Sequence, residues 1–322
     1  MSLRGILRGR PPLLRVGAAI LGGLLLLVTV GPLGTGDPDA IVDPAASALL
    51  APGSQRTEVR LSDGSVLMAQ TASPAAQGWA VRRLGEERLL DRGQVLEVRS
   101  RRFWLGTDSL GRDVMSRLLH GGRVSLALGL GALAIATACG LLLGVVAGWA
   151  GGAVDGVLMR LVDAVLAVPM ILLVLLLAAV LRPSLATLTV ILGLSSWMGV
   201  ARLVRTQVMA LKQRDFVLAL RALGASRSRI LLRHVLPNAL TPLGQDTALR
   251  LGDLILLEAS LSFLGFGVQP PTASWGGIMA DLQGTLASGW WLLAFPALLV
   301  ASAVMGSALL AEGLQERLRH LG

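Results

Sequence analysis

Between Arg123 and Asp155 the chain runs through 31 residues without a charge. A helix crossing about 30 Å of hydrocarbon needs roughly 18–20 apolar residues. A single charge at mid-bilayer costs roughly 2.5–3.5 kcal/mol, so charge-free intervals mark the places where the chain can cross a membrane. Four more such intervals follow this logic: 21 residues between Arg15 and Asp37, 18 between Asp163 and Arg182, 19 between Arg182 and Arg202, and 30 between Asp281 and Glu312. A sixth apolar stretch, 239–267, contains Asp246, Arg250, Asp253 and Glu258. Charged residues make up only 15% of the chain, against about 25% in soluble domains. That excludes disorder, a disulfide scaffold and an ordinary soluble enzyme. The expected fold class is an all-α integral membrane protein with six transmembrane helices.

The net charge of +9 would suggest nucleic acid in a soluble chain. Here it fits arginines held on the cytoplasmic side of a membrane, and no nucleic-acid partner is expected. Arg4, Arg8, Arg10 and Arg15 precede the first span with no acid among them. A cytoplasmic tail at 1–12 and a first transmembrane helix at 13–33 follow. Six spans return Arg317 and Arg319 to the same side. The loop from Arg202 to Pro237 holds Arg202, Arg205, Lys212, Arg214, Arg221, Arg227, Arg229 and Arg233 against Asp215 alone, which places it in the cytoplasm too. A cleaved signal peptide is the rival reading of the first span. No A-x-A pattern follows Val30, and Pro32, Gly34 and Gly36 read as a helix exit, so an uncleaved anchor is expected.

Residues 34–102 are rich in charge of both signs and fall outside the cell between the first two spans. Arg56 to Ser62, then Asp63-Gly64, then Ser65 to Ala69 reads as a hairpin with a tight turn. Gly78–Leu84 and Gln94–Arg99 form a second candidate pair. A small β-rich extracytoplasmic insertion is expected, with a flexible linker as the alternative. The remainder, 103–322, is expected to be the membrane core, with a cytoplasmic loop at 205–238.

Inside the spans, Ala136, Gly140, Gly144 and Gly148 recur every four residues and make a face that a neighbouring backbone can approach closely. Whether that neighbour belongs to this chain is open. Arg160 and Asp163, Asp246 and Arg250, and Arg250 and Asp253 are spaced to meet on one helix face. They hold a bundle together, or they serve function, as intramembrane charges do by default. Glu258, eight residues beyond Arg250, has no evident local partner and is a candidate for an interhelix contact or a pathway. The single cysteine, Cys139, excludes an internal disulfide, and without Cys/His clusters no metal site is expected.

In the cytoplasmic loop Phe216, Val217, Leu220 and Leu223 recur at helical spacing. Gly224 ends that helix, Ser226 caps a second, and Pro237 interrupts before the next span. Such a pair of short amphipathic helices suits a partner's groove or a lipid surface. A P-loop, G-x-x-x-x-G-K-[ST], cannot be present, because the only lysine, Lys212, precedes Gln213. His120, His234 and His320 sit among arginines and suggest no triad, so no catalytic residues are expected.

The loop resembles the EAA loop of ABC importer permeases: Leu218-Ala219-Leu220 occupies the E-A-A positions, Gly224 follows at the family distance, and Leu236-Pro237 closes it. Leu218 stands for the family's acid and Leu220 for its second alanine. Residues 105–126, with Gly106, Thr107, Asp108, Gly111, Arg112 and Asp113, resemble the entry to the core of the dipeptide/oligopeptide/nickel permeases, C-type subunit. Residues 257–276 resemble that family's fifth span and the loop after it. The resemblance covers Phe103 to Leu318. It implies the ABC importer permease fold and an ATPase-coupling segment at Phe216, Leu218, Ala219, Leu220, Leu223, Gly224, Ala225 and Pro237. It implies partners: a related B-type permease, two P-loop ATPase subunits carrying ATP and Mg, an extracytoplasmic substrate-binding protein, and lipid. No cofactor is expected in this chain. The implied location is a bacterial or archaeal inner membrane, and the implied cargo is peptides or similar small solutes. The alternative is an ion-coupled secondary transporter using Asp246, Asp253 and Glu258. A membrane enzyme or scaffold ranks third.

Overall fold

The computed structural model describes residues 12–181, 184–282 and 288–319. Arg4, Arg8, Arg10, Arg182 and His320, used above, lie outside them. Two compact units make up the chain. One comprises the segment up to Leu25, Ser125–Val268, and the segment from Val300 on; the other comprises Leu26–Val124 and Gln269–Leu299.

The helices are α1 (Pro12–Val30), α2 (Val114–Ala150), α3 (Gly152–Leu166), α4 (Met170–Val180), α5 (Leu185–Leu194), α6 (Trp197–Lys212), α7 (Asp215–Ala222), α8 (Arg227–Ile230), α9 (Leu236–Ala239), α10 (Leu243–Phe263), α11 (Trp275–Ala280) and α12 (Trp291–Arg319). Among the described residues four helical stretches are long and apolar enough to cross a membrane: Pro12–Gly34, Val114–Ala150, Leu185–Lys212 and Trp291–Arg319. The pair α3 and α4 makes a fifth if counted as one span, bent by 81°. The expected six are not reached on this measure, because α10 carries four charges spread along its length.

Two boundaries differ from the charge ruler for a physical reason. The span expected to start after Arg123 begins at Val114, with Arg117 and Arg123 inside its helix. Arg117 is buried and ion-paired, and Arg123, though exposed, is engaged. Arg123 donates to the carbonyls of Val28 and Thr29 at 2.7 and 2.6 Å, satisfying acceptors at the C-terminal end of α1. The span expected between Asp163 and Arg182 instead starts at Gly152 and breaks at 167–169. Pro169 has no N–H to continue the helix, and its ring excludes the carbonyl four residues back.

The insertion is β-structured. Strands β1 (Ser54–Leu61), β2 (Val66–Ala69), β3 (Thr71–Ala75), β4 (Gly78–Arg83), β5 (Glu86–Asp91) and β6 (Val95–Phe103) form two antiparallel sheets, ordered β2-β1-β6 and β3-β4-β5. The β1–β2 hairpin turns at Asp63-Gly64 as expected, with Asp63 Oδ1 accepting the Ser65 N–H at 2.8 Å. The second expected pair is corrected: β4 pairs with β3 and β5, whereas 95–103 returns to β1. That return buries Val59 and Val81 with Ala69 over Leu67, Trp79, Leu90 and Val98, a long-range choice that local alternation does not encode. Asp43 anchors this unit. Its carboxylate accepts the Met68 N–H at 2.9 Å and two bonds from Arg83 at 2.8 and 2.6 Å. The Arg83 bond holds its pKa below the usual carboxylate value against the opposing cost of burial.

Candidate functional site

The candidates between Phe216 and Ala225 are built on α7. Asp215 in its first turn and Arg221 in its last complement the helix dipole. Val217 faces inward and is buried with Val200, Val204 and Val208 of α6 and with Ile230, Val235, Ala239 and Leu243. Leu220 and Ala225 pack against the same cluster. The residues facing outward are Phe216, Leu218, Ala219, Leu223 and Gly224, with Leu218 52% and Leu223 83% exposed. So Leu220, in the place of the family's second alanine, serves the core, and Leu218, in the place of its acid, is presented outside.

The end of α7 is a Schellman turn. Gly224 has φ +78°, its N–H donates to the Arg221 carbonyl at 2.9 Å, and the Ala225 N–H donates to the Leu220 carbonyl at 3.0 Å. A left-handed residue is needed there, and glycine takes that conformation without a Cβ penalty. Ser226 Oγ accepts the Arg229 N–H at 3.4 Å and starts α8. Pro237 was expected to interrupt the chain. Instead it lies in α9, and the irregularity sits just upstream, where Leu231–Val235 forms a π turn and the Leu236 N–H reaches the Leu231 carbonyl. Widening the turn accommodates a proline that can neither donate nor tolerate the usual carbonyl position.

The small-residue face finds its neighbour in this chain. A Cβ on Gly140 would lie 2.7 Å from the Trp197 carbonyl oxygen, one on Gly144 2.6 Å from that of Ala201, and one on Gly148 2.8 Å from that of Arg205. α2 therefore meets α6 backbone to backbone along three turns, and α6 in turn carries the buried side of α7.

The helix charges sort differently from their spacing. Asp246 and Arg250 do pair, with Nε and Nη2 at 2.6 and 3.2 Å from the carboxylate, and Arg250 Nη1 donates to the Ser196 carbonyl at 3.2 Å. Among the described residues Arg250 makes no ion pair with Asp253, its other expected partner. Asp163 pairs with Arg202 of α6 rather than with Arg160, and Asp155 pairs with Arg205. Glu258 is 1% exposed and accepts the Ser262 hydroxyl at 2.8 Å, one turn on; Ser262 Oγ accepts the Val268 N–H. Sequence reading missed this local partner because a serine is silent among apolar neighbours.

The segment Gly106–Asp113 forms a knot in the second unit. Asp108 Oδ1 accepts the N–H groups of Leu110 and Arg112, both at 2.9 Å, and Oδ2 accepts Arg112 Nε at 2.6 Å, with Arg117 Nε at 3.4 Å. Arg112 and Arg117 also reach Asp281 at 3.2 and 3.7 Å, and Arg117 reaches Asp39 at 3.2 Å. Burial raises the Asp281 pKa despite the two arginines. Thr107 accepts the Leu50 N–H on its hydroxyl and the Trp291 indole N–H on its carbonyl. A Cβ on Gly106 would crowd the Leu50 carbonyl at 2.5 Å, and one on Gly111 the Ser47 side chain. Asp113 caps α2 by accepting the Met115 N–H, and burial raises its pKa. Asp39, Asp281 and Trp291 are separated from the motif by up to 184 residues, so no sequence signal ties them to it.

Residues 140–320 match the family described as "Binding-protein-dependent transport system inner membrane component". The dipeptide transport system permease protein DppC of Bacillus subtilis (strain 168) is 40% identical over 216 residues, 67% of this chain and 68% of that protein. The di/tripeptide transport system permease protein DppC of Pseudomonas aeruginosa (strain UCBPP-PA14) is 40% identical over 223 residues, 69% of this chain and 74% of that one. The oligopeptide transport system permease protein OppC of Bacillus subtilis is 38% identical over 219 residues, 68% and 72% of the two chains. A solved methionine ABC transporter in inward-facing conformations is similar at 19% identity and TM-score 0.49, covering 65% of this chain and 97% of that one. These matches do not support the ion-coupled alternative for Asp246, Asp253 and Glu258. The chain belongs to the binding-protein-dependent transport system inner membrane components, and is a multi-pass inner-membrane permease of an ABC importer.

Proposed function

We propose that this permease forms half of a translocation path for peptides and takes its drive from ATPase subunits through α7. The observation that carries the reading is the outward face of that helix. Phe216, Leu218, Ala219 and Leu223 are exposed and largely apolar, while Val217 and Leu220 fasten the same turn to α6. A short helix held rigidly from behind can transmit a push, whereas a loop would absorb it. ATP can bias the permease only through contacts that differ between its two states. The apolar outward face, bearing Leu218 where relatives of the family pattern carry an acid, suits an apolar groove on the ATPase.

The further parts of the reading are these. α10 completes a sixth span despite its charges, with both termini in the cytoplasm. A related B-type permease supplies the other half of the path. Two P-loop ATPase subunits bind ATP and Mg, and an extracytoplasmic binding protein delivers substrate. Peptides are the cargo class because the relatives at 38–40% identity are named as dipeptide, di/tripeptide and oligopeptide permeases. Purification from the native membrane in gentle detergent, with co-purifying chains identified by mass spectrometry, tests it. A second permease and P-loop ATPases should accompany this chain; recovery of the chain alone, under conditions where a known importer stays assembled, would overturn the reading.

A further inference from the structure

A cavity of about 580 Å³ lies within the first unit at two helix breaks, the α3–α4 break at Val168-Pro169 and the α5–α6 break at Ser195-Ser196, with α10 along its side. Its walls are mainly apolar: Leu173, Met198, Leu254 and Leu257 among them. Its volume falls in the range of roughly 300–1,000 Å³ typical of small-molecule sites. Two charged residues line it, Arg250 and Asp253. They are not equivalent. Arg250 spends its donors on Asp246 and on the Ser196 carbonyl, so its charge is matched and its geometry is locked. Asp253 has no ion pair or hydrogen bond among the described residues and is exposed on its helix. The cavity therefore holds one uncompensated negative charge. A charge facing hydrocarbon is costly, so it calls for water or a cation. A second feature points the same way. Ser195 lines the cavity, is 1% exposed, and its Oγ has no hydrogen-bond partner among the described residues. A buried hydroxyl in that state favours a polar occupant.

We propose that this cavity is a transit site for the free ammonium end of a small peptide, with Asp253 receiving the ammonium, Ser195 able to accept or donate a further bond, and the apolar wall covering the peptide's side chains. The Asp246–Arg250 pair is the clasp that keeps the neighbouring positive charge from neutralising Asp253. This inference rests on the permease reading above and narrows it to one residue and one substrate group.

The test separates the two. In a Cys139→Ala background, Ser260→Cys places a single thiol of this chain on the cavity wall. Labelling of this chain in the detergent-solubilised importer is followed with a cationic and an anionic methanethiosulfonate. The cationic reagent should be favoured with Asp253 present. Asp253→Asn should lower the cation-to-anion rate ratio about tenfold, and Asp253→Glu should keep it. A free-ended tripeptide should protect the thiol, and its N-acetylated form should not. In proteoliposomes with the binding protein, Asp253→Asn should reduce peptide uptake about tenfold, with most of it recovered in Asp253→Glu. Equal rate ratios in the Asp and Asn forms, or equal protection by both peptides, would overturn the site. Uptake by Asp253→Asn equal to wild type would do the same while leaving the permease reading intact. Absence of ATP-dependent uptake by the wild-type importer would instead overturn the permease reading.

Discussion

Gly144→Ala and Gly156→Ala are the same chemical change in two membrane helices, and the structure assigns them different outcomes. At Gly144 a new Cβ would meet the Ala201 carbonyl oxygen at 2.6 Å and Val204 Cβ at 2.8 Å; at Gly156 it would meet nothing within 4 Å. Ordinary contact begins near 3.4 Å, so α2 and α6 must part locally by up to 3.4 − 2.6 = 0.8 Å. A gap of about 0.5–1 Å forfeits a quarter to a half of each dispersion contact it opens, and the contacts at Gly140 and Gly148 lie on the same seam. Overpacking of this kind costs roughly 1–3 kcal/mol. Both substitutions gain about 1 kcal/mol of helix propensity, so that term cancels in the comparison. The Gly144 variant should be less stable than the Gly156 variant by roughly 1–3 kcal/mol, which at about 2–4 °C per kcal/mol is a difference of roughly 2–12 °C in unfolding midpoint. Thermal unfolding of the purified importer in one detergent, followed by tryptophan fluorescence, measures it. Because α6 carries the buried side of α7, ATP-driven uptake should fall with the Gly144 change as well. Equal midpoints, or a Gly144 variant above the Gly156 variant, would refute the seam.

Three further outcomes follow from other sites. Gly224→Trp forces a bulky side chain into a left-handed conformation, costing roughly 1–2 kcal/mol, on the outward face of the turn after α7; if that turn couples to the ATPase as proposed, uptake should be lost while membrane insertion, read by protease accessibility, stays normal. Asp108→Ala strips a fully buried carboxylate from Arg112 and Arg117 and should cost roughly 3–5 kcal/mol, seen as reduced accumulation in the membrane. The folded pKa of Asp43 lies below its ordinary value of 3.8, so the stability it contributes is present above that value and is lost as pH falls below it toward the folded pKa. The protection of the Met68 amide against hydrogen exchange, taken relative to its intrinsic rate at each pH, should fall over that acid window in wild type, and Asp43→Asn should abolish that fall.

What was legible beforehand divides by range of interaction. Charge-free intervals located most of the membrane helices, because the penalty for a charge in hydrocarbon acts residue by residue. The same ruler misplaced the start of α2, since Arg117 and Arg123 are compensated by groups far away in the chain. It also missed the break at Pro169, which falls inside an uncharged interval. For α10 composition is ambiguous, and its four charges leave the span to be argued from the family. Spacing found the Asp246–Arg250 pair, which is local, and could not foresee that Asp163 would choose Arg202. In the insertion the tight turn at Asp63-Gly64 was readable, whereas the pairing of β6 with β1 was not.

By itself, then, the sequence determined the membrane class, the amphipathic helix α7, its glycine stop and the small-residue face of α2. Each follows from local chemistry: hydration cost, periodicity, backbone freedom. Only the tertiary structure decided which helix fills the Gly140–Gly148 face, which side of α7 is turned outward, and which of the charges lining the cavity has no partner among the described residues. Those outcomes depend on groups distant in sequence coming within a few ångströms, where close packing and charge pairing act, and no linear pattern carries that distance.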